Sequence, residues 1–126
     1  MKTIGLKFVP LIIPNDWKVV WNNFTQAEPE HFVNADYIHV WEFQEDIIYF
    51  RNEKKKRILD LGWYPAHQPE GQYTVMLIRI KEIENHTEDE LNEDWENPFL
   101  TYKTRNINEL EKRINWILKE VSEDRL

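Results

Sequence analysis

Hydrophobic and polar residues alternate along the first two-thirds of the chain. Alternation with a period of two predicts β-strands that bury one face. Prolines, asparagines and charged residues interrupt the pattern and mark the turns between the strands. The strands predicted in this way are 4–8, 17–21, 38–43, 47–51, 57–63, 72–80 and 98–104.

The connections between these strands add local detail. Polar residues 52–55 lie between strands 47–51 and 57–63, so we expect a β-hairpin there. Residues 28–36 predict an irregular loop or one short helical turn. Strand 72–80 carries apolar residues at both odd and even positions, which predicts a central strand covered on both sides.

The C-terminal region changes period and predicts an amphipathic helix. Asn106 can cap the helix, and Glu109 three residues later completes a capping-box pattern. The apolar stripe at helical spacing consists of Ile107, Leu110, Ile114, Ile117, Leu118 and Val121. We therefore predict an α+β fold, a mostly antiparallel β-sheet with a C-terminal helix packed on it, as a single domain over residues 1–126.

Composition narrows the class of protein. Six Trp, six Phe and five Tyr supply a largely aromatic core. The absence of cysteine excludes disulfides, thiolate catalysis and cysteine-ligated zinc. Lys7 and Pro10 interrupt the apolar N-terminal stretch, which does not fit a signal peptide, and no run reaches the roughly 18 apolar residues of a membrane span. We expect a cytoplasmic protein that does not bind membranes.

The negative charge is concentrated in one segment. The chain carries a net charge of −7, and residues 82–96 alone carry −8, which leaves about +1 for the rest. A local acidic field can steer a basic partner, and Trp95 offers an aromatic anchor beside it. The alternative is a solvated loop or exposed helix, with Trp95 returning to the core. The partner-binding candidates in this segment are Glu84, Glu88, Asp89, Glu90, Glu93, Asp94, Trp95 and Glu96.

Two further features could mark a surface. Trp116 points away from the apolar stripe of the helix, so it is either covered by another segment or exposed to a partner or to a second copy of the chain. The cations of 51–57 could contact phosphates, but a charged hairpin that protects a sheet edge fits them better. We expect no direct binding of nucleic acid.

The residues needed for familiar catalytic chemistries are missing. Ser122 is the only serine, and three glycines leave no phosphate-binding loop. The four histidines show no metal-ligand spacing, so we expect neither a metal nor another cofactor. The alternative to a binding protein is a small ligand-binding domain or acid/base enzyme, with His39 or His67 beside Asp60 or Glu70.

Several short motifs carry a family resemblance over residues 40–120. They are Ile58-Leu59-Asp60-Leu61-Gly62-Trp63-Tyr64-Pro65, Pro69-Glu70-Gly71, the strand Tyr73 to Ile80, Asp94-Trp95-Glu96-Asn97-Pro98, Arg105 and the final helix. In these motifs the chain resembles small bacterial immunity proteins of contact-dependent inhibition and related polymorphic toxin systems. The resemblance implies a cytoplasmic protein that binds a cognate toxin domain and occludes its active site. Such toxins are often nucleases with basic clefts, and the role needs no catalytic residue in the inhibitor.

Overall fold

A computed structural model describes residues 5–81 and 92–126. It contains strands β1 (Lys18–Asn22), β2 (Ile48–Asn52), β3 (Arg57–Tyr64), β4 (Gln72–Arg79) and β5 (Leu100–Thr104), helix α1 (Ile107–Ser122), and the 3-10 turns Pro29–His31 and Val40–Glu42. The five strands form one antiparallel sheet in the order β1-β2-β3-β4-β5, and α1 packs on it. The predicted α+β fold is confirmed.

The main core lies between α1 and one face of the sheet. Alternate residues of β3 (Leu59, Leu61 and Trp63) point into this layer and are fully buried. The helix contributes its apolar stripe, in which Leu110, Ile114, Ile117, Leu118 and Val121 are all buried. Full burial of one such aliphatic side chain contributes about 1.5–3 kcal/mol. This layer therefore fixes which face of the sheet is covered by the helix.

An aromatic cluster closes one end of the core. The Trp63 ring meets Phe43 at 4.7 Å and Tyr73 at 5.1 Å, both edge to face. Arg105 lies over the same indole at 5.2 Å and donates to the carbonyl oxygens of Gly71, Pro69 and Pro29. One guanidinium thereby ties the Pro-rich loop and the first 3-10 turn to the start of the helix.

The predicted cap of α1 is confirmed in part. Asn106 accepts a hydrogen bond from the Glu109 amide at 3.0 Å through its side-chain oxygen. The Glu109 carboxylate does not return the bond, because it accepts from the hydroxyls of Tyr102 and Thr104, both at 3.3 Å. The Thr104 hydroxyl in turn accepts from the Asn106 amide at 3.0 Å. The capping box is therefore completed by a threonine from β5.

Two predicted strands are wrong. In the described part of 4–8, only Phe8 makes an isolated bridge, to Thr25. Residues 38–43 form the 3-10 turn Val40–Glu42, whose final bond runs from the Phe43 amide to the Val40 carbonyl at 3.1 Å. This turn lets Phe43 enter the aromatic cluster while Trp41 stays half-exposed. The predicted helical turn within 28–36 is confirmed at Pro29–His31.

The hairpin of β2 and β3 is confirmed, but its basic turn does not protect a sheet edge. Both strands lie inside the sheet, whose outer strands are β1 and β5. The cations have local partners: Lys55 lies 2.5 Å from Asp124, and Arg57 lies over the Phe99 ring at 4.0 Å. The interpretation of 51–57 as edge protection is therefore wrong.

Candidate functional site

The face of the sheet that points away from α1 carries a mixed set of side chains. Tyr49, Asp60 and Tyr64 alternate with core residues along β2 and β3 and therefore project from this open face. Part of the face is apolar, where Ile58, Ile78 and Ile80 are buried together. The rest of the open face is polar and aromatic.

A cleft of about 260 Å³ lies in this polar region. Its walls come from β1, β2, β3, the segment before β2 and the segment that leads to β5. We call it the acidic cleft, and its lining residues are Trp21, Asp46, Tyr49, Asp60, Tyr64, Glu93 and Trp95. The register of the sheet brings these residues together, since Tyr49 pairs with both Trp21 and Asp60.

Asp60 is the most unusual group in the acidic cleft. The residue is only 8% exposed, and burial, reinforced by the charges of Asp46 and Glu93, raises the pKa of Asp60 to about 7. Among the described residues, no hydrogen-bond donor reaches its carboxylate. The ionised form of a carboxylate in such surroundings is unfavourable. The Asp60 carboxylate can therefore accept a hydrogen bond from a ligand or a partner protein.

Glu93 has partners on both of its oxygens. The Tyr49 hydroxyl donates to Oε2, the Arg51 guanidinium lies 3.1 Å from the same oxygen, and the Trp95 indole lies 3.4 Å from Oε1. Arg51 also donates to Glu53 at 2.7 Å. This network holds Glu93 against β2 and places the Trp95 ring at the mouth of the cleft.

Aromatic rings form the rim of the acidic cleft. Trp21, Tyr64 and Trp95 each expose more than a third of their surface. Trp21 packs edge to face against Tyr49 at 4.8 Å, which orients its ring. Burial, followed by the charges of Asp60, Glu45 and Asp46, raises the pKa of Tyr64 to about 12, so its hydroxyl stays neutral. Exposed rings around buried charge are typical of partner-binding surfaces.

The predicted acidic segment is only partly represented in the cleft. Glu84, Glu88, Asp89 and Glu90 lie outside the described residues. Glu93 and Trp95 line the cleft, and Trp95 is exposed rather than returned to the core.

The other two described acids of this segment do not line the cleft. Asp94 is buried, its backbone amide donates to the Arg79 carbonyl at 3.0 Å, and its carboxylate lies 3.8 Å from Lys81. Asp94 therefore has a structural role, and its predicted contact with a partner stays a prediction. Glu96 is exposed in the turn that follows.

Trp116 lies on a different surface. It is 44% exposed on the outer side of α1, where Arg113 lies between its ring at 5.5 Å and the Tyr102 ring at 4.4 Å. Because α1 covers the opposite face of the sheet, Trp116 and Trp95 do not belong to one continuous binding surface. The segment near Ile12 reaches the neighbouring Asn115 at 2.9 Å and still leaves the Trp116 ring exposed.

The proposed histidine and carboxylate pairs are not brought together in the acidic cleft. His67 packs against Trp41 at 4.7 Å, and His39 packs against Tyr37 at 5.4 Å. Asp60 instead faces Asp46, two tyrosines, two tryptophans and Glu93. Among the residues that the structure describes, Asp60 therefore has no imidazole with which to share a proton.

One exposed cluster has the composition of a metal site. Glu28, Glu30 and His31 place one possible ligand atom each within 4.8 Å of one another. His31 lies 3.9 Å from both carboxylates, and all three side chains are exposed. Exposed ion pairs of this kind are common and contribute little energy. We assign no metal to this cluster.

Sequence reasoning missed Trp21, Asp46, Tyr49 and Tyr64 as members of the site. Asp60 had a detectable signal, because it is the only acid among the apolar residues of its strand.

Within the described residues, no helix has the length and apolar composition needed to cross a bilayer. In comparisons with protein-family models, curated proteins and solved structures, the chain has no significant match.

Proposed function

We propose that this chain is a bacterial immunity protein that binds a basic toxin domain, of the nuclease class, through the acidic cleft and occludes its active site. The observation that carries the proposal is the acidic cleft itself, a buried Asp60 within an exposed aromatic rim. The resemblance of the 58–65 and 94–98 motifs to immunity proteins supports the class of partner. In this role the protein acts in the cytoplasm and contributes no catalytic group.

Electrostatics support a cationic partner. Asp46, Asp60 and Glu93 line one cleft, and the chain as a whole carries a net charge of −7. Opposite charge on a partner accelerates diffusional encounter, and the effect weakens as salt is added. The positively charged groups with which a nuclease binds phosphates would meet this surface. Their occupation by the inhibitor would block the path of the nucleic acid.

The aromatic rim supports a long-lived complex. Trp21 and Trp95 expose large rings beside the charged groups, and burial of such rings in an interface slows dissociation. Truncation of an interface tryptophan at a hot spot costs about 2 kcal/mol or more. The acids should therefore affect mainly the association rate, whereas the aromatic rings should affect mainly the dissociation rate.

A neutralisation assay tests this proposal. Proteins captured by the chain from the source organism would be expressed singly in a bacterial host, with and without the chain. We expect one captured protein to carry a basic domain that stops growth, and we expect the chain to restore growth. The double variant Trp21→Ala, Trp95→Ala should fail to protect, whereas Trp116→Ala, which removes a similarly exposed ring on the other surface, should protect fully. A captured set without a toxic basic domain would contradict the proposal.

A further inference from the structure

We infer that the acidic cleft binds the side chain of a single arginine of the partner, with its guanidinium between the carboxylates of Asp60 and Asp46 and against the aromatic rim. The inference rests on the proposed function for the identity of the partner, but the chemistry of the cleft can be tested alone. It names the group that the cleft is built to recognise.

The distribution of donors shows which acceptors remain for a ligand. Glu93 already receives Tyr49, Arg51 and Trp95. Asp60 is buried to more than nine-tenths and lines the cleft, and no donor from the described residues reaches it. Asp46 is exposed at the rim of the same cleft. The ligand therefore meets one buried and one exposed carboxylate that can both accept hydrogen bonds.

The electrostatics of Asp60 select a cation. Its surroundings penalise the ionised form, and the charges that act on it, those of Asp46 and Glu93, are also negative. A bound cation would reverse this penalty, because an opposite charge at close range favours the carboxylate. An anionic ligand would add a further like charge to the same site. The acidic cleft is therefore selective for positive ligands.

Arginine fits this arrangement better than lysine. A guanidinium offers five N–H donors in one plane, so it can bond two carboxylates at once, and its face can stack on an aromatic ring. Trp21, Tyr64 and Trp95 supply such rings. A guanidinium is also less strongly hydrated than an ammonium, so it enters a partly buried site at a lower desolvation cost.

Gly62 shapes one wall of the acidic cleft. A Cβ at this position would lie 2.7 Å from the Tyr64 Cε2 atom and would also collide with the Glu45 carbonyl oxygen. The missing side chain lets the Tyr64 ring lie back over β3, where its hydroxyl is 3.4 Å from that carbonyl. The ring is thereby held beside Asp60 as a wall of the cleft.

The test uses the purified chain and three small probes. N-acetyl-arginine amide, N-acetyl-lysine amide and N-acetyl-citrulline amide would be titrated at pH 7.5 and followed by NMR at the tryptophan indole signals. Citrulline keeps the planar shape of arginine and removes its charge. We expect saturable shifts at Trp21 and Trp95 with the arginine probe, at least tenfold weaker binding of citrulline, several-fold weaker binding of lysine, and no shift at Trp116.

Substitutions that keep the shape of each side chain test the role of each carboxylate in binding without disturbing the fold. Asp60→Asn keeps the shape and should weaken arginine binding about tenfold, with Asp46→Asn intermediate and the exposed Glu70→Gln unchanged. Equal binding of arginine and citrulline, or shifts confined to Trp116, would overturn the inference. If the arginine probe fails while neutralisation succeeds, this inference alone is wrong. If the probe binds but no basic toxin is neutralised, the proposed function alone is wrong.

Discussion

Replacing Asp60 with asparagine should stabilise the protein, and the gain should depend on pH. Asp60 is buried on the open face of the sheet without a hydrogen-bond donor from the described residues, and its surroundings raise its pKa from 3.8 to about 7. Asparagine has nearly the same shape and carries no charge at any pH. The substitution therefore removes the penalty for ionising Asp60 and leaves the packing unchanged.

The direction follows from where the proton binds more tightly. The folded chain holds the Asp60 proton up to about pH 7, whereas the unfolded chain releases it near pH 3.8. Stability from this group is therefore highest at low pH, is lost as the pH rises from about 4 to about 7, and stays constant above that. The difference between the pKa values of Asp60 in the folded and unfolded chain corresponds to roughly 4 kcal/mol of stability. Between pH 5 and pH 8, the wild-type chain should lose roughly 3 kcal/mol of it.

Urea unfolding of both proteins at pH 5 and pH 8 measures this effect. The free energy of unfolding of Asp60→Asn minus that of the wild type should grow by roughly 3 kcal/mol between the two values. The subtraction cancels titrating groups that do not interact with Asp60. The exposed Asp36→Asn is the matched control and should show a change near zero. A difference that is constant with pH, or larger at pH 5, would refute the account of Asp60.

Three further substitutions test the local structure. Asn106→Ala should lower the free energy of unfolding by about 1 kcal/mol, while the exposed Asn108→Ala changes it by less than about half of that in the same urea experiment. Arg105→Ala should lower the free energy of unfolding by about 2–3 kcal/mol in the same urea experiment. Arg105→Lys should not recover the lost stability, because an ammonium cannot reach three separate carbonyls. Gly62→Ala should displace the Tyr64 ring and lower the free energy of unfolding by about 1–3 kcal/mol. Thermal unfolding would measure the loss, and the NMR signals of the Tyr64 ring would show the displacement. An unchanged melting temperature would contradict the close approach of Tyr64 and the Glu45 carbonyl to Gly62.

Signals that act over a few residues predicted their elements well. The stripe of α1 and the cap at Asn106 depend on contacts within one or two turns, and the polar stretch 52–55 predicts the hairpin on its own. Even there, the partner of the Asn106 amide is Thr104 rather than Glu109. The carboxylate of Glu109 binds the hydroxyls of β5 instead, which the helical sequence alone does not reveal.

Signals that require a partner strand were less reliable. Residues 38–43 alternate as a strand would, but Phe43 gains more by entering the aromatic cluster with Trp63 and Tyr73 than by pairing in a sheet. Tertiary packing of this kind overrides a short-range pattern. The segment near Phe8 makes two backbone hydrogen bonds to residues 24 and 26, but it forms only an isolated bridge, between Phe8 and Thr25, and no strand.

The acidic cleft could be predicted only in part for the same reason. Glu93 and Trp95 stand out in the sequence because they are neighbours in an acidic segment. Trp21, Tyr49 and Asp60 come from three strands, and only the register of β1, β2 and β3 places them side by side. The charge composition of the sequence identifies the acidic segment, but the strand register, which the sequence does not reveal, determines which residues line the acidic cleft.

The affinity of the isolated toxin domain for the chain tests the central claim most directly, that the acidic cleft is the docking surface. We expect Trp95→Ala to raise the dissociation constant by about 30-fold or more, which corresponds to about 2 kcal/mol. The matched variant Trp116→Ala, which removes a similarly exposed ring from α1, should stay within about twofold of the wild type. A loss of affinity in Trp116→Ala with none in Trp95→Ala would place the interface on the helix and contradict the account.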